Sequence, residues 1–196
     1  MRHRLWVTVT LLVSVGCGFT FSGKNFIRNG DFEKFNGPEP VGWETTNIGK
    51  MLTVVSPVAT AHGGSHAVKL EVKKSFGSLM PGMITQKDIA VDGEFLQLSM
   101  YYRLSPVGKD AGFLAVDFQS AEGSTVGMCQ HYLTGGRSDF TLFKAVTKRP
   151  PNATHCEFRL TFMPEKDGGT LHEGTAMIVD DIEMVSVETP KDQTSQ

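Results

Sequence analysis

Two acidic motifs bracket the chain: Asn29-Gly30-Asp31-Phe32-Glu33 near the start and Val179-Asp180-Asp181-Ile182-Glu183 some 150 residues later. Grouped carboxylates can divide acid and base roles across a scissile bond, accept hydrogen bonds, or hold a hard cation. Nothing around these ones marks a catalytic centre. The sequence has no Gly-x-Ser-x-Gly, no P-loop and no His-Glu-x-x-His. The two motifs instead predict first and last strands that meet at a shared carboxylate site. That points to a binding module rather than an enzyme. In the closing motif Asp180 has the parity of Ile178, Ile182 and Met184, so it is expected to point inward with them. A buried carboxylate is costly unless it is paired, hydrogen-bonded at a strand end, or bound to metal.

The other reactive side chains are sparse. Cys129 and Cys156 are predicted to form a disulfide, which would stabilise by about 3–4 kcal/mol in the chain-entropy model. The alternative is a pair of buried free thiols. No CxxC spacing supports zinc. His62, His66, His131, His155 and His172 are scattered and read as surface or hydrogen-bonded histidines. Asn152-Ala153-Thr154 is a formal glycosylation acceptor.

Residues 1–22 read as a secretory signal, with basic Arg2, His3 and Arg4, an apolar run from Leu5 to Val15, and small residues after it. Cys17 stands where a lipoprotein carries its acylated cysteine, although Ser14 departs from the aliphatic residue expected three positions earlier. The expected location is therefore secreted or cell-surface, with membrane attachment only if Cys17 is lipidated. Residues 187–196 read as a polar, flexible tail.

The elements that must position these groups are strands. Leu96, Leu98, Met100 and Tyr102 alternate with Gln97, Ser99, Tyr101 and Arg103. Leu114, Val116 and Phe118 alternate with Ala115, Asp117 and Gln119, and Cys156, Phe158, Leu160 and Phe162 with Glu157, Arg159 and Thr161. A period of two over five to eight residues marks half-buried antiparallel strands. Turn clusters such as His62-Gly63-Gly64-Ser65, Glu122-Gly123-Ser124 and Gly135-Gly136 separate them. The fold class is all-β, one sandwich of two antiparallel sheets over residues 23–186. The net charge of −2 and the lack of a basic stripe exclude a nucleic-acid binder.

The order of segments is more specific than the fold class. Phe26 to Glu33 is followed by Pro40-Val41-Gly42-Trp43, Gly64-Ser65-His66-Ala67-Val68-Lys69-Leu70, Gln86 to Val91, Phe95 to Ser99, Cys156 to Leu160 and Val179-Asp180-Asp181-Ile182. This series resembles carbohydrate-binding modules of families 4, 9 and 22, which are galactose-binding-domain-like jelly rolls. The resemblance implies a structural calcium ion (Ca2+) on Glu33 and Asp180, with backbone carbonyls near Asp31 and His66, and a packing role for Trp43. It also implies a ligand cleft on the outer face of one sheet. The outward residues there are Tyr101, Arg103, Asp117 and Gln119, joined by Gln130 and Tyr132 if Cys129 points inward. The expected ligand is a poly- or oligosaccharide, bound without catalysis. The alternatives are a structural or adhesive surface domain that binds protein and, last, a glycoside-active enzyme.

Overall fold

The structure is a computed structural model and describes residues 23–164 and 169–188. The signal segment with Cys17, and the expected tail from residue 189 on, lie outside the described residues; Val187, placed in that tail by the sequence, instead ends a strand and is buried. Thirteen strands and no helix are present among the described residues.

Alternation builds two antiparallel sheets that face each other. One has five strands in the order β10 (Thr125–Leu133), β9 (Asp110–Gln119), β12 (His155–Pro164), β7 (Ile84–Ala90) and β3 (Glu44–Thr45). The other runs β11 (Arg137–Lys148), β8 (Phe95–Ser105), β13 (Ala176–Val187), β5 (Ala67–Ser75) and β4 (Val55–Val58), with β6 (Ser78–Pro81) paired to β5. A ribbon of β1 (Phe35–Asn36) and β2 (Glu39–Pro40) completes the domain. This is the expected jelly-roll sandwich. β10 and β11 follow one another in sequence but sit at the edges of different sheets, so the chain crosses between the sheets there.

The inward sets meet between the sheets as the alternation predicts. Leu96, Met100 and Leu104 of one sheet face Leu114, Phe118, Phe158 and Leu160 of the other, all fully buried. Each such side chain contributes about 1.5–3 kcal/mol by leaving water. Trp43 is 7% exposed, lies 5.4 Å from Phe32 and edge-on to Phe158 at 5.7 Å, and its Nε1 donates to the Asn29 carbonyl. It is a packing residue, as the resemblance implied.

Two expectations are corrected. The first is the inward direction of Asp180. Before Asp180 the core-facing residues of β13 are Met177 and Val179, while Ile178 pairs with Arg103 and Asp180 with Tyr101 on the outer side. The register then slips by one residue between Asp180 and Glu183, with Asp181 at φ 48°. This β-bulge turns Ile182 and Met184 into the core. Asp180 is fully buried, but on the outer side of the sheet under the 62–66 turn rather than in the core.

The second is the disulfide. Cys129 and Cys156 are both free. They sit on β10 and β12, which flank β9, with Cys129 opposite Val116 and Cys156 opposite Phe118. Strands two apart are separated by about 9–10 Å, beyond the roughly 7 Å that a disulfide can span between Cα atoms. Burial pushes the Cys156 thiol up to about 12, so it is inert in the folded state. Alkylation after unfolding without reductant should therefore tag both cysteines. Recovery of a cross-linked peptide containing both would contradict the strand order.

Candidate functional site

The opening motif meets the closing one. Asn25 Oδ1 accepts from the Met184 amide, Phe26 N donates to the Met184 carbonyl, and Ile182 N donates to the Gly30 carbonyl at 2.9 Å. The first segment thus runs along β13 and brings Glu33 and Asp180 to the two sides of one turn. Asp180 Oδ2 accepts from His62 N (2.7 Å) and Gly63 N (3.1 Å), and its Oδ1 from Asp181 N (2.8 Å). Glu33 Oε1 accepts from Ser65 N (2.6 Å) and His66 N (2.9 Å). Two carboxylates from opposite ends of the chain therefore grip one glycine-rich turn by its amides.

The turn needs its glycines. Gly64 has φ +61°, and a Cβ there would overlap the Glu33 carboxylate, while one on Gly63 would come within 2.9 Å of Asp181 Oδ2. The amides of His66 and Ser65 hold the Glu33 carboxyl below its ordinary value. Burial raises that of Asp180, only partly offset by the amides of Gly63, His62 and Asp181.

These residues test whether calcium suits the clasp. Asp180 Oδ2 and Glu33 Oε1 each already take two amides, whereas Asp180 Oδ1 takes one. Glu33 Oε2 is 3.6 Å from His66 Nδ1, too far for a hydrogen bond. Those last two oxygens keep lone pairs to offer. Among the described residues no group of three or more His, Cys, Asp or Glu side chains gathers as a metal cage. The rest of a calcium shell would have to come from backbone carbonyls and water, which is within calcium's habits. The clasp itself thus offers two carboxylate oxygens, Asp180 Oδ1 and Glu33 Oε2.

The predicted sugar residues separate into two groups. Tyr101 and Arg103 are on β8 of the six-stranded sheet, while Asp117, Gln119, Gln130 and Tyr132 are on β9 and β10 of the five-stranded sheet. Both groups face outward, from opposite sides of the sandwich, so the single six-residue face is corrected to two faces. Tyr101 is engaged locally: His62 stacks on it at 3.4 Å and 11°, and Phe140 meets His62 edge-on. The Arg103 guanidinium lies 5.8 Å over the Phe140 ring. His62 Nδ1 is 2.7 Å from Asp181 Oδ2, which ties this cluster to the clasp.

The outer face of the five-stranded sheet is built differently. Phe113 and Ala115 point away from the core, yet they are only 4% and 2% exposed. Thr85 and Thr161 on the same face are also buried. Small or flat side chains therefore form a floor that longer neighbours on this face cover. Along one row across the sheet Gln130, Ala115, Arg159 and Thr85 are register partners, and along the next Tyr132, Phe113 and Thr161. Tyr132 stands edge-on to Phe113 at 5.1 Å and keeps 42% of its surface exposed. Arg159 Nη2 donates to Asp117 Oδ2 at 2.6 Å, with Glu157 Oε1 at 3.6 Å. An exposed phenol ring, an amide and a guanidinium–carboxylate pair thus rim the floor. Arg159 and Phe113 were not among the expected residues. Arg159 had the right parity on an alternating strand, but its place beside Asp117 depends on strand order.

Comparison with solved structures bears on the fold. The chain is 18% identical to the enzymatically active domain of tailspike protein 4 of bacteriophage CBA120, with a TM-score of 0.60 over 84% of this chain and 21% of that one. It thus spans about a fifth of that tailspike chain. The xylan-binding family-22 module of Paenibacillus barcinonensis Xyn10C matches at 13% identity and TM-score 0.53, over 86% of this chain and 98% of the module. The chain has the jelly-roll fold of the carbohydrate-binding modules. Modules of families 16 and 61 match in the same way. A cyclase from Fischerella sp. TAU also has this fold, at 15% identity and TM-score 0.59, over 84% of this chain and 96% of the cyclase. No protein-family model matches the sequence, and no curated protein does. Because the fold is shared by binding modules and by a cyclase, function has to be argued from the site.

Proposed function

We propose that this protein is an exported, non-catalytic carbohydrate-binding domain that takes a poly- or oligosaccharide on the outer face of its five-stranded sheet. The observation that carries the reading is the exposed Tyr132 on the same sheet face as the Arg159–Asp117 pair. An aromatic ring packs against the C–H face of a sugar, and planar polar groups bond adjacent hydroxyls. A sheet face offers a long shallow track, which suits a chain of sugars better than a single one. The xylan-binding module and the module solved with β-1,4-galactotriose share this fold and support a polysaccharide ligand. Asp117 and Glu157 flank the Arg159 guanidinium, so planar donors and acceptors for sugar hydroxyls stand side by side.

The test is a glycan array followed by calorimetry on the domain. Tyr132→Ala and Arg159→Ala should each weaken the best glycan at least about tenfold, equivalent to about 1.4 kcal/mol. Tyr101→Ala, on the other sheet, should leave affinity unchanged. A second reading, a surface domain that binds protein, rests on Leu142 and Val146, which point outward on β11 at 49% and 39% exposure. A blank array would favour it.

Calcium belongs to the same proposal as a structural cation at Glu33 and Asp180, remote in role from the sugar face. A ligand that binds only the folded state raises the midpoint of unfolding by mass action. Chelation should therefore lower the melting temperature, and added calcium should restore it. Melting curves unchanged by chelator would leave the turn amides as the sole partners of the two carboxylates.

A further inference from the structure

Where β10 and β11 leave the two sheets, the sandwich has an open side, and a small cavity lies just inside it. It is lined by apolar residues such as Leu98, Val116 and Phe118, together with Cys129, His131 and Met184. We propose that this cavity is a binding site for a single soft, closed-shell metal cation of the copper(I) type, held by Cys129 Sγ, His131 Nε2 and Met184 Sδ.

Strand geometry places the first two ligands. Cys129 and His131 are two apart on β10, so both side chains point the same way, into the sandwich. Their Sγ and Nε2 atoms are 3.2 Å apart. That contact is a hydrogen bond, and it sets the two donor atoms side by side at the cavity. The imidazole is steered by Phe143, which it meets edge-on at 5.1 Å. Met184 reaches the cavity from β13 across the sandwich, and its Sδ also lies 3.9 Å from Cys156 Sγ.

Size and chemistry narrow the ligand. The cavity volume is about 10 Å³. That is about one water-sized probe, enough for one atom and too small for an organic ligand. Two sulfur atoms and one imidazole, among side chains that are apolar except for Thr147, form a soft donor set, which favours copper(I) over hard cations that need several oxygens. No carboxylate lines the cavity. Access is open from the edge: Cys129 and His131 are half-buried, and β10 has a sheet neighbour only on its β9 side among the described residues. On binding, the Cys129 S–H bond breaks, a sulfur–metal bond forms and one proton passes to water, with no change of oxidation state. This site is independent of the glycan face, which lies on the opposite surface of the same sheet.

The test is an anaerobic titration of the full chain with copper(I) against a chromophoric competing chelator. The sulfur-to-copper charge-transfer absorption and the melting temperature are followed together. One equivalent should bind with that absorption and raise the melting temperature. Cys129→Ser and His131→Gln should each lose the equivalent, Met184→Leu should weaken it, and Cys156→Ser should retain it. Failure of the wild-type chain to compete for copper(I) would overturn the proposal. Uptake unchanged in the Cys129→Ser, His131→Gln double variant would do the same, as would zinc(II) binding at matching affinity. Unaltered glycan binding by the folded Cys129→Ser chain is expected, and it separates a failure here from a failure of the glycan reading.

Discussion

Gly30→Ala should destabilise the domain by more than about 4 kcal/mol, in the range reserved for severe backbone or core damage. The position has no room for a side chain. A Cβ there would overlap the Ile182 carbonyl oxygen, with Ile182 C at 3.0 Å and Ile27 Cγ2 at 3.1 Å. Those obstacles are backbone and core, not the free end of a flexible side chain. Making space means parting the first segment from β13, which breaks the bond from Ile182 N to the Gly30 carbonyl and unseats Ile182, itself fully buried. Gly136→Ala is the control: its nearest neighbours to a Cβ are 3.8 Å away or more, so it should stay within about 0.5 kcal/mol of the parent. Urea unfolding followed by circular dichroism compares the two. A Gly30→Ala domain as stable as its Gly136→Ala counterpart would show that the opening and closing motifs do not pack as described.

Asp180→Ala should cost about 2–4 kcal/mol, because the amides of His62, Gly63 and Asp181 lose their common acceptor. For a domain of this size that is a fall of roughly 4–16 °C in melting temperature. Removing a charge that burial disfavours returns part of the loss, which is why the expected figure is below three full hydrogen-bond penalties. Asp180→Asn should cost less, since its carbonyl oxygen can still accept from the turn. With chelator present, so that calcium plays no part, the order parent, Asn, Ala in melting temperature is the signature of an acceptor role. A reversed order, with Ala the most stable, would mean that the buried charge is a net burden and the turn is held by Glu33 alone.

Much of this architecture was legible because alternation reports directly on burial. The inward sets of β8, β9 and β12 fell where hydrophobic parity placed them, and Trp43 packed as expected. What alternation cannot report is which sheet a strand joins. Tyr101 and Tyr132 both point outward, as expected, yet strand order puts them on opposite sides of the molecule. The same ignorance paired Cys129 with Cys156, which a single intervening strand keeps apart. Parity also fails across a bulge. Asp180 shares the parity of Ile182 by residue number, but the extra residue at Asp181 reverses it. The meeting of the two acidic motifs was foreseeable; the turn of His62 to His66 between them was not, because its amides announce nothing in sequence. Arg159 was hidden for a related reason: its partner Asp117 is 42 residues away and becomes a neighbour only when β12 pairs with β9.

The central claim is that the outer face of the five-stranded sheet, around Tyr132 and Arg159, binds glycan. Calorimetric titration of the best array ligand into the parent, Tyr132→Ala and Tyr101→Ala domains tests it most directly. The account predicts binding by the parent and by Tyr101→Ala at equal affinity, with at least about a tenfold loss for Tyr132→Ala. Equal affinity for parent and Tyr132→Ala, or a loss confined to Tyr101→Ala, would contradict it.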